Sequence, residues 1–327
     1  MKLRVRAERL PLRQSLHIAG HRFDDAESLV VELAERDLIG RGEASGLYYE
    51  GETADSMASA LESVRSRIES LRPDEPLQHL LPAGGARNAL DCAWWELQSR
   101  LRQQPVWQLA GLEAPRPTLT SRTLYAAAPA AMAEAARQLA EAPLLKLKLL
   151  GDEADARRVE AVREARPDAR LIVDANQGLG VAGYRALAPA LAAAGVELIE
   201  QPFPVGHDDW LDRLPRPVPV AADESAKTRA DLAALRGRVD VINLKLDKAG
   251  GLSEALAMAE EARAMGFGLM VGCMCASSLA MAPALLLAQR CDWADIDGPL
   301  YLATDRSPAL RYEAATVHWT PGVWGSE

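Results

Sequence analysis

The chain has 327 residues, 49% of them hydrophobic and 25% charged, with a net charge of −9. That is enough chain for a barrel plus a smaller domain, and the composition is that of a soluble globular protein, not a disordered or fibrous one. The acidic balance argues against nucleic acid, which needs a basic surface. No run approaches the roughly 18 apolar residues of a membrane span, and the opening "MKLRVRAERLPLRQSL" lacks the apolar core of a signal peptide. A cytoplasmic protein with no nucleic-acid or membrane partner is expected.

Residues 1–112 read as an α+β domain. "LRVRAERLPL" and "ESLVVELAERDLIGRGEASGL" have the pattern of strands in a small sheet, with Gly40 and Gly42 near a turn. The period then becomes helical. "ADSMASALESVRSRIESL" is an amphipathic helix, and "GARNALDCAWWELQSRLRQ" a second one whose Trp94, Trp95 and Leu97 suit burial.

From residue 113 to 302 the pattern turns regular. Eight β-type runs, "TLTSRTL", "LLKLKLL", "RLIVDAN", "VELIEQP", "VPVAADES", "DVINLKLD", "GLMVGCM" and "DWADIDG", alternate with helical stretches such as "AAMAEAARQLAEA". Such alternation implies parallel βα units, and eight of them close into a barrel. No GxGxxG follows the first strand, against a dinucleotide domain. After "DIDG" no helix returns, so the expected fold is α/β: a modified TIM barrel, (β/α)7β, with seven helices over eight strands and an N-terminal capping domain. The tail 303–327 reads as extended and packs back on that cap.

Cys92, Cys273, Cys275 and Cys291 offer no CxxC pair and read as reduced, buried thiols, Cys273 and Cys275 facing one side of a strand. The five histidines have no HExxH or HxxxH spacing, so no zinc site is expected.

In a barrel of this kind the site lies at the C-terminal ends of the strands. Those ends carry, in order, Lys148, Asp174, Glu200, Asp223, Lys245 and Asp297. One acid there commonly caps the next helix. Three consecutive strands ending in carboxylates, flanked by strands with inward lysines, describe a site. Three oxygen ligands without imidazole or thiolate select Mg²⁺, with Mn²⁺ possible, and leave positions open for a substrate; Ca²⁺ usually takes more ligands. The strand period of two puts Lys146 and Lys148 on one face, away from Leu145 and Leu147. An ordinary lysine titrates near ~10.4 and is a poor base at neutral pH. A neighbouring cation and burial lower that value, so Lys146 is expected to supply the field and Lys148 the base. Lys245 approaches from the opposite side. Two such bases suit removal of a proton from one face of a carbon acid and its return on the other.

"KLK", "VDAN", "IEQP", "ADES" and "INLKLDKAGG" resemble the successive motifs of the enolase superfamily, muconate lactonizing enzyme subgroup, over nearly the whole chain. The resemblance implies Lys146, Lys148 and Lys245 as the catalytic lysines and Asp174, Glu200 and Asp223 as metal ligands. "ADIDGPL" is similar to the DxD signature of dipeptide epimerases, which implies that Asp295 and Asp297 hold the ammonium of a dipeptide substrate; "LLPAGGARNALDCAWWEL" and "LMVGCM" point the same way. The implied activity is proton transfer at the α-carbon of the C-terminal residue of an L-Ala-D/L-Glu-like dipeptide, as in peptidoglycan turnover. An o-succinylbenzoate synthase or muconate cycloisomerase reaction on the same framework stays open, as does a non-catalytic peptide-binding barrel. A homo-oligomer is possible.

Substrate choice in such relatives rests on cap loops, here about 15–25 and 44–52. Gly20 stands in "HIAGHRFDD" where an arginine often follows "IA"; Arg22 serves instead or forms an ion pair with Asp24 or Asp25. Tyr48 and Tyr49 line the same mouth or pack the cap. Gly178, Gly180 and Ala276 also depart from the relatives' pattern. Ser121 and Met274 complete the expected substrate wall, Asn176 and Glu224 the surroundings of the metal ligands, and Lys248 stands near the site or in solvent.

Overall fold

The structure, a computed structural model, describes residues 1–18 and 20–325. Residue 19 of the expected specificity loop and the last two residues of the tail lie outside them. Strands β1 (Lys2–Ile18), β2 (His21–Glu35) and β3 (Leu38–Ala44) form one antiparallel sheet in that order. The helix Gly85–Arg102 lies on it. Gly40 and Gly42 are within β3, not at a turn, and they set this contact. A Cβ on Gly40 would sit 2.1 Å from the Ala93 carbonyl oxygen, and one on Gly42 2.0 Å from that of Ala89. Only hydrogen at these positions lets strand and helix backbones approach so closely.

The amphipathic stretch after β3 is two helices, Ala54–Ser63 and Arg65–Ser70. Thr53 and Ser56 form a capping box at its start, satisfying two backbone donors that the first turn leaves open. Met57, Leu61 and Ile68 are buried under the sheet with Leu97. Trp94 and Trp95 are only partly buried; Trp95 donates to Ser253 across the boundary with the barrel.

Eight parallel strands follow in sequence order: Arg122–Leu124, Leu144–Lys148, Arg170–Asp174, Val196–Glu200, Val220–Ala222, Val241–Leu244, Gly268–Val271 and Trp293–Ala294. The seam is bridged where the Ser121 N–H donates to the Ala294 carbonyl at 2.8 Å. Six crossovers carry α-helices, but the fourth carries only the 3-10 helix Asp208–Arg213. The physical reason is in the connection "QPFPVGHDDWLDRLPRPVP", whose prolines at 202, 204, 215, 217 and 219 remove donors and break helical geometry at both ends.

The run "TLTSRTL" also divides. Thr118–Leu119 pairs with a hairpin of the tail, Arg311–Glu313 and Thr316–His318, while Arg122–Leu124 enters the barrel. Beyond that hairpin the tail reaches the cap: buried Trp324 donates through Nε1 to the Arg41 carbonyl at 2.9 Å, and the Val106 N–H donates to the Gly325 carbonyl at 2.8 Å.

Inside the barrel, Leu144, Ile172, Leu198, Ala221, Val241 and Met270 pack as one apolar layer. Two residues further along the same six strands stand Lys146, Asp174, Glu200, Asp223, Asn243 and Gly272. Between them Leu145, Val173, Ile199, Ile242 and Val271 face outward into the core beneath the helices. The period of two thus lays an ionic layer directly on an apolar floor.

Candidate active site

A cavity of about 470 Å³ separates the cap from the C-terminal end of the barrel. Lys148, Asn176, Glu224, Lys245 and Met274 line its barrel side; Arg22, Phe23, Tyr48 and Tyr49 line its cap side. Asp174, Glu200 and Asp223 lie just beneath, buried. Asp174 and Glu200 end the third and fourth strands and Asp223 follows the fifth, between the lysine of the second and the lysine that follows the sixth.

Each carboxylate is tied to lysine. Lys146 Nζ lies 3.1 Å from Asp174 Oδ2, 2.6 Å from Glu200 Oε2 and 2.8 Å from Asp295 Oδ2. Lys148 Nζ is 2.6 Å from the same Asp174 oxygen, and Lys245 Nζ 2.7 Å from Asp223 Oδ2. Burial opposes the charge on Lys146, but Asp295, Glu200 and Asp174 outweigh it and hold the ammonium well above the ordinary lysine range. Lys245 is held up likewise, against burial, first by Asp223. The two lysines of "KLK" therefore meet on one carboxylate oxygen, with Asp174 between the expected tuner and the expected base.

The acids respond in opposite directions. Against burial, Lys148 and then Lys146 hold Asp174 down at about 2. Lys245 and Lys248 hold Asp223 well below the carboxylate range, again against burial. Glu200 is pushed up to about 8, by burial and then by Asp174. Glu224 is pushed up to about 7 by burial and by Asp223, and its Oε2 is buried without a hydrogen-bond donor.

Among the described residues no three His, Cys, Asp or Glu groups stand together as a preformed metal centre. The donor set nevertheless fits a hard cation. Glu200 Oε2 and Asp223 Oδ1 are buried without a properly directed hydrogen bond, although Lys146 and Lys248 lie within 2.6 and 2.7 Å of them. Each has an ammonium beside it but no aligned hydrogen bond, and an all-oxygen set of three carboxylates suits Mg²⁺ or Mn²⁺.

The other expected residues fall into three groups. Asn176 and Met274 line the cavity, and the Asn176 N–H donates to Asp174 Oδ1 at 2.9 Å from a left-handed backbone, φ +41°. Arg22 is at the mouth but exposed, its Nη2 2.9 Å from Asp24 Oδ1, so the ion pair is formed. Lys248 is fully buried and donates to the backbone carbonyls of Asp223 and Asn243, which removes the solvent alternative.

Ser121, Asp295 and Asp297 lie outside the cavity wall. Ser121 is buried at the barrel seam and donates to Asp295 Oδ1 at 2.6 Å, so it supports a carboxylate. Asp297 Oδ2 accepts from the Tyr301 hydroxyl at 2.7 Å and the Thr123 N–H at 3.2 Å. Burial first, then Asp295, pushes Asp297 up to about 6, whereas Lys146 holds Asp295 down against burial. Cys273 and Cys275 follow the seventh strand rather than alternating within it, and both line the cavity. Gly20 is an exposed turn residue at φ +81°, Gly178 and Gly180 are exposed away from the cavity wall, and Ala276 is buried in the core.

Several supporting residues were not singled out in the sequence. Asn243 Nδ2 donates to Glu200 Oε1 at 2.7 Å. Gln201 Oε1 accepts the N–H groups of Asp223 and Ser225. Asp247, on the turn after Lys245, accepts the cap's Ser45 and Gly46 N–H groups at 3.1 and 3.0 Å, joining cap to barrel. Counting two residues back from Lys245 would have placed Asn243 on the inner face.

The model of the mandelate racemase/muconate lactonizing enzyme N-terminal domain matches residues 1–111, and that of the enolase C-terminal domain-like family matches residues 131–317. The chain belongs to the enolase superfamily. It is 43% identical, over 97% of this chain and 99% of the relative, to the L-Ala-D/L-Glu epimerase of Escherichia coli strain K12. It is 41% identical to an N-acetyl-D-glutamate racemase of Pseudoalteromonas, over 87% and 90%. A dipeptide epimerase of Enterococcus faecalis V583, solved with Mg and the dipeptide L-Leu-L-Tyr, superposes with a TM-score of 0.92 at 30% identity, over 100% of this chain and 99% of that one. This superfamily member is an isomerase of the racemase and epimerase class.

Proposed function

We propose that this chain is a Mg²⁺-dependent dipeptide epimerase that inverts the α-carbon of a dipeptide's C-terminal residue, with L-Ala-D/L-Glu-like dipeptides as the first substrates to try. The observation that carries the reading is the placement of Lys148 and Lys245. Both open into one cavity, from strands separated by the three that bear Asp174, Glu200 and Asp223. Asp174, Glu200 and Asp223 would hold Mg²⁺, or Mn²⁺, whose charge on the substrate carboxylate would make the α-proton removable. One lysine takes that proton from one face and the other returns one to the opposite face; Lys245, held protonated by Asp223, is poised to donate, and would serve as base once Asp223 is given over to the cation. Lys146, buried among carboxylates, keeps a fixed positive charge beneath the reacting centre. Asp297, although outside the cavity wall, has both its bonds on Oδ2, which would leave Oδ1 for a substrate ammonium.

The test is incubation with L-Ala-L-Glu and a wider dipeptide panel in D₂O with Mg²⁺. Epimerisation with one α-deuterium gained per inverted molecule is expected, and absence of exchange across the whole panel would overturn the reading. A second reading, racemisation of N-acylamino acids, has its own footing. Asp295 already accepts from Ser121 on one oxygen and from Lys146 on the other, so Asp297 is the acid with an unengaged oxygen for an ammonium, and one relative is an N-acetyl-D-glutamate racemase. Faster exchange of N-acetylglutamate than of any dipeptide would favour it.

A further inference from the structure

Among the inward side chains of the ionic layer one is neutral. Asn243 replaces charge with an amide between the strand of Asp223 and the cleared position of Gly272, and it is wholly buried. Its amide nitrogen faces Glu200, with Nδ2 2.7 Å from Oε1, the orientation that suits an ionised carboxylate holding a cation. Oδ1 is then left buried with no donor.

The space beside this amide is kept open by a missing side chain. A Cβ on Gly272 would lie 2.8 Å from Asn243 Oδ1, 2.9 Å from its Nδ2 and 2.8 Å from Lys245 Cε. Gly272 has no positive φ to explain it; the close approach of these two side chains does. Glu200 is meanwhile approached on its other oxygen by Lys146 at 2.6 Å. Its carboxylate plane is fixed from both sides.

We propose that Asn243 is a positioning residue that orients Glu200 for the cation, and that Gly272 reserves the space its amide and Lys245 both need. The inference rests on the metal-dependent reading above. Groups that hold a metal's ligands in orientation typically contribute 10–100-fold in affinity, because a rotated carboxylate offers the wrong lone pairs.

The experiment is Mn²⁺ binding, followed by the electron paramagnetic resonance of the free ion, to wild type, Asn243→Ala, Asn243→Asp and Gly272→Ala. Asn243→Asp keeps the volume and guards against loss of fold in the alanine variant. Wild type should bind one Mn²⁺; Asn243→Ala and Asn243→Asp should bind about 10–100-fold more weakly. Gly272→Ala retains the amide but crowds it, and should lower affinity several-fold while slowing exchange of one epimer more than the other through Lys245. A wild type that binds no Mn²⁺ would overturn the metal-dependent reading itself. A wild type that binds, with folded Asn243 variants within about twofold of it, would overturn the role of Asn243 alone.

Discussion

The barrel floor and the cap wall face each other across one cavity and are held in different ways. On the floor, Lys146 is buried among three carboxylates, and Asp174, Glu200 and Asp223 are all about 1% exposed. On the wall, Arg22 and Asp24 form a single ion pair with both side chains 64% exposed. In the low-dielectric floor every charge must be answered by another or by a hydrogen bond, so position is dictated. At the wet rim water and salt answer for the charges, so the same residue types are free to change. On the proposed reading, chemistry belongs to the first region and selectivity to the second.

Substitutions can be ranked by that contrast. Lys148→Ala and Lys245→Ala should each lower epimerisation by about 10²–10⁴-fold, while either variant retains α-deuterium exchange from the one epimer its remaining lysine can reach; equal loss of exchange for both epimers would break the two-base arrangement. Lys146→Met leaves three buried carboxylates without their common cation and should cost about 3–5 kcal/mol in urea unfolding without added metal. Gly42→Ala forces a Cβ toward the Ala89 carbonyl and should cost about 1–3 kcal/mol.

Asp247 tests the joint between the two regions by pH. Burial, helped by Glu52 and opposed by the Gly46 and Ser45 N–H donors, pushes its carboxyl up to about 6. A carboxyl raised on folding holds its proton more tightly in the native state. Its contribution to stability is therefore complete below about pH 4 and is lost as pH rises through about 6. Asp247→Asn, which still presents an oxygen to both donors, should flatten that part of the pH profile relative to wild type. An unchanged difference between the two proteins from pH 4 to 7 would count against a buried, ionising Asp247. The smallest effect is expected at the rim: Arg22→Ala should alter stability by less than about 1 kcal/mol, with any change in kcat/KM confined to substrates bearing an acidic side chain.

Much of the floor was legible because two periods overlap there. The strand period of two fixed which residues point inward, and the βα repeat fixed which of those stand at strand ends, so Lys148, Asp174, Glu200, Asp223 and Lys245 could be read directly. What stayed hidden depends on contacts between strands. Asn243 is polar and inward, yet only the placement of Glu200 beside it gives it work. Ser121 was expected in the substrate wall, but it stands just before the first barrel strand, where the seam turns it toward Asp295. Gly40 and Gly42 looked like turn residues because glycine usually marks turns; the closeness of the Gly85–Arg102 helix was the actual constraint. The missing α-helix of the fourth crossover was legible in principle, since its prolines are in plain view.

The seating of Trp324 bears on when the cavity comes into being. Its indole donates to the carbonyls of Arg41 and Cys92, in the strand and helix that carry the cap, and the neighbouring Gly325 carbonyl receives the Val106 N–H. The segment that completes the cap is thus made after every strand of the barrel. On the ribosome, the cap sheet emerges first and waits for its last indole until synthesis has passed residue 324.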